Sequence, residues 1–568
     1  MENLQRLIAV ARGDAPADLV VRGGKVFSVF TREWLDADVA VVDGVVAGVG
    51  SYRGESTIDA SGSYVVPGFI DAHLHLETPK LMVDEFARLV LPLGTTAVVA
   101  DPHEIANVLG VDGVHWLLDA TSGLQLDVYF MASSCVPASP FESPRRALMP
   151  GDLESLMRRR RVLGLAEMMN FPGVIAGDPS ELEKLELEGA RHVDGHAPGV
   201  LGAELQAYAA AGIRSDHEAL TVEEGRERLR AGMWLLVREA SMARNLLALL
   251  PLVQEYGPWR IAFCTDDRDP DDIVDNGHIN GMVREAVAAG IAPEDALLMA
   301  SHHPAVWHGL SRHGAIAPGY VADLLLLPDL VSFRPSTVLK DGRPIEEVPS
   351  VAIPEWVRQS VRIAPVTPSD FAIPWSGDGA MRTIGLVEDQ VVTESVERGP
   401  VVEGGQVVAS AEQDLAKIAV VERHLATGRV GLGFVSGSGL ERGALASSVA
   451  HDAHNLVVVG MSDREMAFAI ERLAELGGGI VVVDGLDIVA ELALPVAGLL
   501  ADAPLAEVVE RSRACNEAAH ALGWTGATPF LTMSFLALSV IPSLKITDRG
   551  LVDVDRFELV PLAIDTDS

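Results

Sequence analysis

Short apolar runs of four to seven residues recur along the first half of this chain, each closed by a polar or charged residue and followed by a stretch with helical spacing. Val66-Pro67-Gly68-Phe69-Ile70 leads to Asp71-Ala72-His73-Leu74-His75, Thr96-Ala97-Val98-Val99-Ala100 to Asp101-Pro102-His103-Glu104, and Val162-Leu163-Gly164-Leu165-Ala166 to Glu167. His192 to Gly199, Gly212 to Glu218, and Arg260 to Thr265 with Asp266 and Asp267 continue the series, with helices expected over 202–211 and 222–231. Strand and helix alternating over this length predict a parallel (β/α)8 barrel of the TIM type, in which the carboxyl ends of the strands share one mouth. Residues far apart in sequence then meet in space.

The flanks read differently. Residues 1–65 hold short apolar strands split by turns, as in Val20-Val21-Arg22-Gly23-Gly24-Lys25-Val26, and residues 314–373 contain a further run at Val321 to Leu327. These two parts predict a small, discontinuous β-sandwich domain around a barrel at 66–313. Residues 374–568, with runs such as Ile480-Val481-Val482-Val483-Asp484, predict a third, α/β domain. At 568 residues the chain has ample length for several cores.

The polar residues closing the runs carry the chemistry. His73 and His75 are two apart, so on a strand they share a face. Taken alone, such a pair is as consistent with hydrogen-bonded core histidines as with a metal site. Further donors downstream change the balance: His196 and His217 add neutral nitrogens, Glu167 and Asp266 anionic oxygens, a set suited to divalent zinc, iron or manganese. Two ions are expected, because a pair can both generate and clamp a hydroxide nucleophile. One ion held by the four histidines and Asp266, with Glu167 acting elsewhere, is the alternative.

At this point the residues resemble a family. The Pro-Gly-Phe-Ile-Asp-Ala-His-Leu-His string at 67–75 and Gly314 to Asp323 are similar to the amidohydrolase superfamily. Val98 to Gly110, Phe263 to Arg268, Ala446 to Asn455 and Leu544 to Val554 resemble bacterial adenine deaminases. The likeness runs nearly end to end. It implies hydrolysis of free adenine to hypoxanthine and ammonia, in purine salvage, at two divalent ions, with manganese or iron favoured and zinc accepted. Carried over, His73 and His75 match the first-strand ligands, Glu167 the bridging carboxylate, His196 and His217 the two histidine-bearing strands, and Asp266 the last-strand aspartate. A carboxylated lysine bridges the metals in many relatives; Glu167 in its place argues against dihydroorotase and hydantoinase chemistry. Thr78-Pro79, Asp269 and Asn280 depart from the family pattern and leave open a substituted purine such as N6-methyladenine, or a cyclic amide. A non-catalytic binding scaffold is the reading from a different class; its mark would be lost ligands, and each expected ligand is present.

For the reaction, Asp266 is expected to pass a proton from the activated water to the departing amine, and Glu104 to protonate the ring, with Glu218 next in line. Asp267 is expected to orient the ring, and Asp101 and His103 to join Glu218 in substrate binding. The plainer reading of Asp101 to Glu104 is a helix cap, since carboxylates favour helix N-termini.

Composition narrows the partners. Eighty acidic against 44 basic residues give a formal charge of −36, which repels phosphate backbones and anionic membranes, so neither nucleic acid nor a membrane is expected as a partner. Free adenine is uncharged and pays no such penalty. The charge also serves solubility. Three scattered cysteines, Cys135, Cys264 and Cys515, and the absence of a leader pattern point to a reducing cytoplasm. A homo-oligomer, a dimer, is expected. Gly431 to Gly439 lacks the Lys-Ser/Thr ending of a phosphate loop and reads as turns beside a strand. His451-Asp452-Ala453-His454 lacks identifiable companion ligands and reads as structural unless it lies at the barrel mouth. His302, His303 and His308 read as packed or solvated helix residues, and His278 as a candidate for the pocket rim.

Overall fold

The computed structural model describes residues 2–190, 192–376, 379–387 and 390–564. Eight parallel strands form a barrel: β1 (Phe69–Leu74), β2 (Thr95–Ala100), β3 (Asp127–Ala132), β4 (Val162–Met168), β5 (Val193–Gly195), β6 (Ser215–Asp216), β7 (Trp234–Arg238) and β8 (Ile261–Cys264). β1 to β5 pair in sequence order, as do β6 to β8. Two seams close the ring. At one, the Arg214 amide donates to the Val193 carbonyl at 3.3 Å and the Gly195 amide to Ser215 Oγ at 3.2 Å. The approach is so close that a Cβ on Gly195 would stand 2.2 Å from the Ser215 carbonyl oxygen, so only glycine fits. At the other, the Asp266 amide donates to the His73 carbonyl at 3.0 Å, and Thr265 gives its amide (3.1 Å) and hydroxyl (2.6 Å) to the Asp71 carboxylate. The strands are apolar on both faces because helices cover the outside and side chains fill the inside; all six residues of β2 are buried.

A mixed eight-stranded sheet flanks the barrel. Ala17–Ser28 runs through it, bent at a register shift between Val21 and Gly24, and Tyr64–Pro67 pairs antiparallel with Leu324–Leu327, so segments before and after the barrel share it. A second eight-stranded sheet lies within 381–493. The helix Asp463–Leu476 covers one of its faces. Its start is fixed by Ser462, whose hydroxyl accepts from the Glu465 amide, and its end by Gly477 at φ 76°. Met466, Ile470 and Leu473 form its buried stripe, each side chain contributing about 1.5–3 kcal/mol.

The C-terminal part sits directly on the barrel mouth. One hydrophobic core runs without a break from Leu74, Phe86 and Leu165 to Ile418, Val457, Leu531 and Leu544. Polar contacts reinforce it: the Ala501 amide donates to the Lys80 carbonyl at 2.8 Å, and Ser139 and Ser539 hydroxyls meet at 2.6 Å. Among the described residues no helix is long and apolar enough to cross a membrane.

Candidate metal and catalytic centre

His73, His75, Glu167, His196, His217 and Asp266, drawn from five strand ends, gather in one buried cluster, none more than 6% exposed. Glu167 stands between two groups. Its Oε1 lies 3.7 Å from His73 Nε2 and 3.5 Å from His75 Nε2, and its Oε2 lies 2.9 Å from His196 Nδ1 and 3.3 Å from His217 Nε2. Asp266 Oδ1 completes the first group, 3.5 Å from His73 Nε2 and 3.0 Å from His75 Nε2.

Several donors have no hydrogen-bond partner among the described residues despite full burial: His73 Nε2, both ring nitrogens of His196, and His217 Nδ1. The 2.9 Å approach of His196 Nδ1 to Glu167 is therefore close without being aligned as a hydrogen bond. An unpaired buried nitrogen costs about 1–3 kcal/mol. Lone pairs converging on a common point, as in the trios His73–His75–Asp266 and His73–Glu167–His217, are what a divalent cation requires. The donor set thus fits a metal. His75 is oriented for that purpose, because its Nδ1 donates to the Asp101 carbonyl at 3.1 Å and turns Nε2 to Asp266 Oδ1 at 3.0 Å.

The loops carrying these side chains are anchored from behind. Helix α1 (Val222–Arg230) begins at Thr221 with reciprocal side-chain to backbone bonds between Thr221 and Glu224, and it presents Arg228 inward. Arg228 is wholly buried; its Nε meets Asp216 Oδ2 at 2.9 Å, and its terminal nitrogens donate to the Val200 (2.8 Å) and Ala197 (2.6 Å) carbonyls. Asp216 also accepts from the Ala197 amide at 2.8 Å. The Tyr208 hydroxyl accepts from the His196 amide at 3.0 Å and donates to the Met168 carbonyl at 2.8 Å.

Electrostatics separate the carboxylates. Burial alone would raise Glu167, but His196 and His217 hold it well below the usual carboxylate range. Burial is likewise overcome at Asp266 by His73, His75 and Arg238, and at Glu218 by the charge of Arg238 and by His196. Glu104 moves the other way, raised by burial, with Asp267 adding to the effect.

His75, His103, Glu167, His196, His217, Glu218, Asp266 and Asp267 line one cavity. Asp101 lies just behind, its carboxylate accepting from His103 Nδ1 (3.1 Å) and Ser133 Oγ (2.7 Å). Glu104 does not line the cavity; it is fully buried, reached through the Thr78 hydroxyl at 3.2 Å. Thr78 also bonds to Asp267, Lys80 pairs with Asp269, and Asn280 Oδ1 accepts from the His278 amide at 3.0 Å. His278 is not at the rim as expected. It is packed behind the strands, 2.9 Å from Thr95 Oγ1 and 3.4 Å from Asp71, and burial pushes its pKa down to about 3. His303 and His308 are packed under the barrel, bonded to the Ile261 and Ala72 carbonyls.

The sequence reading missed Arg238, which pairs with Glu218 and donates to Asp266 Oδ2 at 2.9 Å. A buried arginine closing the otherwise apolar run Trp234 to Val237 is the signal that could have found it. It also missed the roof of the cavity, where Val391, His451, Asp452, Phe535, Leu538 and Ile541 descend from the C-terminal part.

Comparison with known proteins agrees with this layout. The family model "Amidohydrolase family" matches residues 64–345, and "Adenine deaminase C-terminal domain" matches residues 390–558. "Adenine deaminase 2" of Carboxydothermus hydrogenoformans is 45% identical, covering 99% of this chain and 100% of its own length. "Adenine deaminase" of Methanothrix thermoacetophila is 46% identical over 98% of this chain and 99% of its own, and that of Brucella suis 44% identical over 98% and 96%.

Proposed function

Because this chain belongs to the adenine deaminase family of the amidohydrolases, we propose that it hydrolyses adenine to hypoxanthine and ammonia, and that its six clustered side chains hold two divalent cations. The observation that supports two is the position of Glu167, with one oxygen facing His73 and His75 and the other facing His196 and His217. Amidohydrolases are metal-dependent, and manganese, iron and zinc all suit this donor set. Bound there, the ions would lower the pKa of water and supply a nucleophile at neutral pH.

The chain's own residues do the rest. Water oxygen bonds to purine C6, the bond from C6 to the exocyclic nitrogen breaks, and the leaving nitrogen takes a proton. Asp266, kept ionised beside Arg238, accepts the proton lost by water and returns it to the amine. Asp267 lines the cavity and accepts a hydrogen bond from the ring. The Thr78 hydroxyl has one hydrogen yet contacts both Glu104 and Asp267, so a proton on one of the two carboxyls gives both contacts a hydrogen bond. Burial favours Glu104 in that role. Protonated Glu104 donates to Thr78, Thr78 donates to Asp267, and the chain forms a relay toward the ring nitrogen. Glu218, held ionised by Arg238 next to His196 and His217, is the second candidate for moving a proton at this face. The three buried, unpaired cysteines suit a reducing cytoplasm.

The test is product analysis. Manganese-loaded protein should convert adenine to hypoxanthine with one ammonia per turnover, and faster than it converts N6-methyladenine. Faster turnover of N6-methyladenine, or of a cyclic amide, would reassign the substrate.

A further inference from the structure

His451 and Asp452 sit on the loop between the strands Ala444–Ser447 and Leu456–Gly460 of the C-terminal sheet, yet they are buried against the barrel mouth at 2% and 1% exposure. There they meet His103, on the helix that follows β2. His103 Nε2 lies 3.5 Å from Asp452 Oδ1, and His451 Nδ1 lies 3.6 Å from the same oxygen. These are too long for hydrogen bonds. They match the spacing of two donors around one ion, since tetrahedral ligands at bonds of about 2.1 Å stand roughly 3.4 Å apart. All three residues offer an atom within 4.8 Å of the others'.

The hydrogen bonding around the trio supports the same point. His103 Nδ1 donates to Asp101 Oδ2 at 3.1 Å, which leaves Nε2 with a free lone pair. That nitrogen and Asp452 Oδ2 are buried with no hydrogen-bond partner among the described residues. His451 turns its Nε2 edge toward Asp267 Oδ1, at 3.8 Å, and its Nδ1 toward Asp452. Phe535 stacks on the His451 ring, centroids 4.9 Å apart, and fixes its plane. A carboxylate behind the imidazole, as Asp101 stands behind His103, is the arrangement that sets tautomer and basicity in metal-bound histidines; His451 Nε2 has no hydrogen-bond partner among the described residues. His454 is excluded by the same reasoning. Its Nδ1 accepts from the Ala450 amide at 3.1 Å, so its proton resides on Nε2, which faces Glu104 Oε2 at 3.5 Å and cannot ligate.

We propose that His103, His451 and Asp452 form a further cation site, adjoining the six-residue centre through His103, whose Nδ1 stands 3.6 Å from Glu167 Oε1, that takes a divalent first-row transition ion and fastens the C-terminal part to the barrel mouth. All three residues line the cavity, so an open coordination position faces it. His103 then serves the ion and not the purine.

Crystals of the full chain loaded with zinc, measured on both sides of the zinc absorption edge, test this. An anomalous peak between His103 Nε2, His451 Nδ1 and Asp452 Oδ1 is expected, distinct from peaks beside His73, Glu167 and His217. In Asp452→Asn the seam peak should vanish while the others remain. Peaks at the six-residue centre with none at the seam, or a seam peak unchanged in Asp452→Asn, would overturn the proposal. Peaks at the seam alone would overturn the two-ion centre and leave this site standing. If Asp452→Asn does not fold, His451→Gln replaces it, read by zinc content. Loss of one ion per chain supports the site, and unchanged content refutes it.

Discussion

Replacing Arg228 by methionine should loosen the two loops that carry His196 and His217 before it affects anything else. The guanidinium is wholly buried and makes three close bonds, to Asp216 and to the Val200 and Ala197 carbonyls. Methionine fills much of the volume but leaves the Asp216 carboxylate buried without its counter-charge. Removing one partner of a buried ion pair costs about 3–5 kcal/mol. The lost bonds to the two carbonyls are part of that figure, since one group makes all three. A value near 4 kcal/mol corresponds to roughly a thousandfold change in an equilibrium constant. A chain of several packed parts has no single unfolding free energy, so the assay is hydrogen exchange of segment 193–218, which reads local opening. Arg228→Met should lose about three orders of magnitude of protection there. Adding Asp216→Asn should restore part of it, because asparagine carries no charge and still accepts from the Ala197 amide. Exchange within threefold of the parent in Arg228→Met, or a double variant worse than the single one, would refute the argument.

Three further outcomes follow from the same structure. Lys545 is fully buried with its ammonium on the Val391 carbonyl at 2.7 Å, and burial lowers its pKa from 10.5 to about 7. Between those values the unfolded chain holds a proton that the folded chain has lost, so Lys545 weakens the fold most below pH 7, and stability recovers as pH rises. Lys545→Met should therefore raise the calorimetric midpoint at pH 6, because the burial penalty it removes outweighs the one hydrogen bond it loses. The gain in calorimetric midpoint should shrink by pH 10, and a gain that grows with pH would contradict the sign. Asp266→Asn should lower ammonia release at saturating manganese by about a hundredfold to ten-thousandfold; turnover within threefold of the parent would remove Asp266 from the proton path. Thr78→Val should cut kcat by about tenfold or more through loss of the hydroxyl between Glu104 and Asp267, with Thr78→Ser restoring it, whereas equal rates in both would dismiss the relay.

The barrel and the clustering of six polar side chains at its mouth were legible because strand ends announce themselves: an apolar run stops at a residue that cannot be left in a core unpaired. His73 and His75 gained meaning from their spacing, and Glu167 and Asp266 from their place at the ends of runs. Arg238 closes a run in the same way, but its role depends on Glu218 and Asp266, which flank it from the two neighbouring strands, 20 and 28 positions away in sequence. Asp71 is a similar case: the contact with Thr265 that closes the ring joins residues 194 positions apart, and no local periodicity encodes it. His278 was misplaced for the opposite reason, since a histidine between helices looks the same in sequence whether it faces the mouth or the back. The companions of His451 and Asp452 lie some 350 residues upstream at His103 and Asp101, so the motif stood alone until the C-terminal sheet was seen to roof the barrel.

The most direct measurement compares the parent chain with Glu167→Gln, each stripped by chelation, reloaded with manganese, and assayed for hypoxanthine formation from adenine. The parent should recover its activity as the ions return, and Glu167→Gln, deprived of the carboxylate between the two ligand groups, should lose more than about a hundredfold together with bound manganese. A reloaded parent that leaves adenine untouched, or a glutamine variant as active and as metal-rich as the parent, would contradict the account.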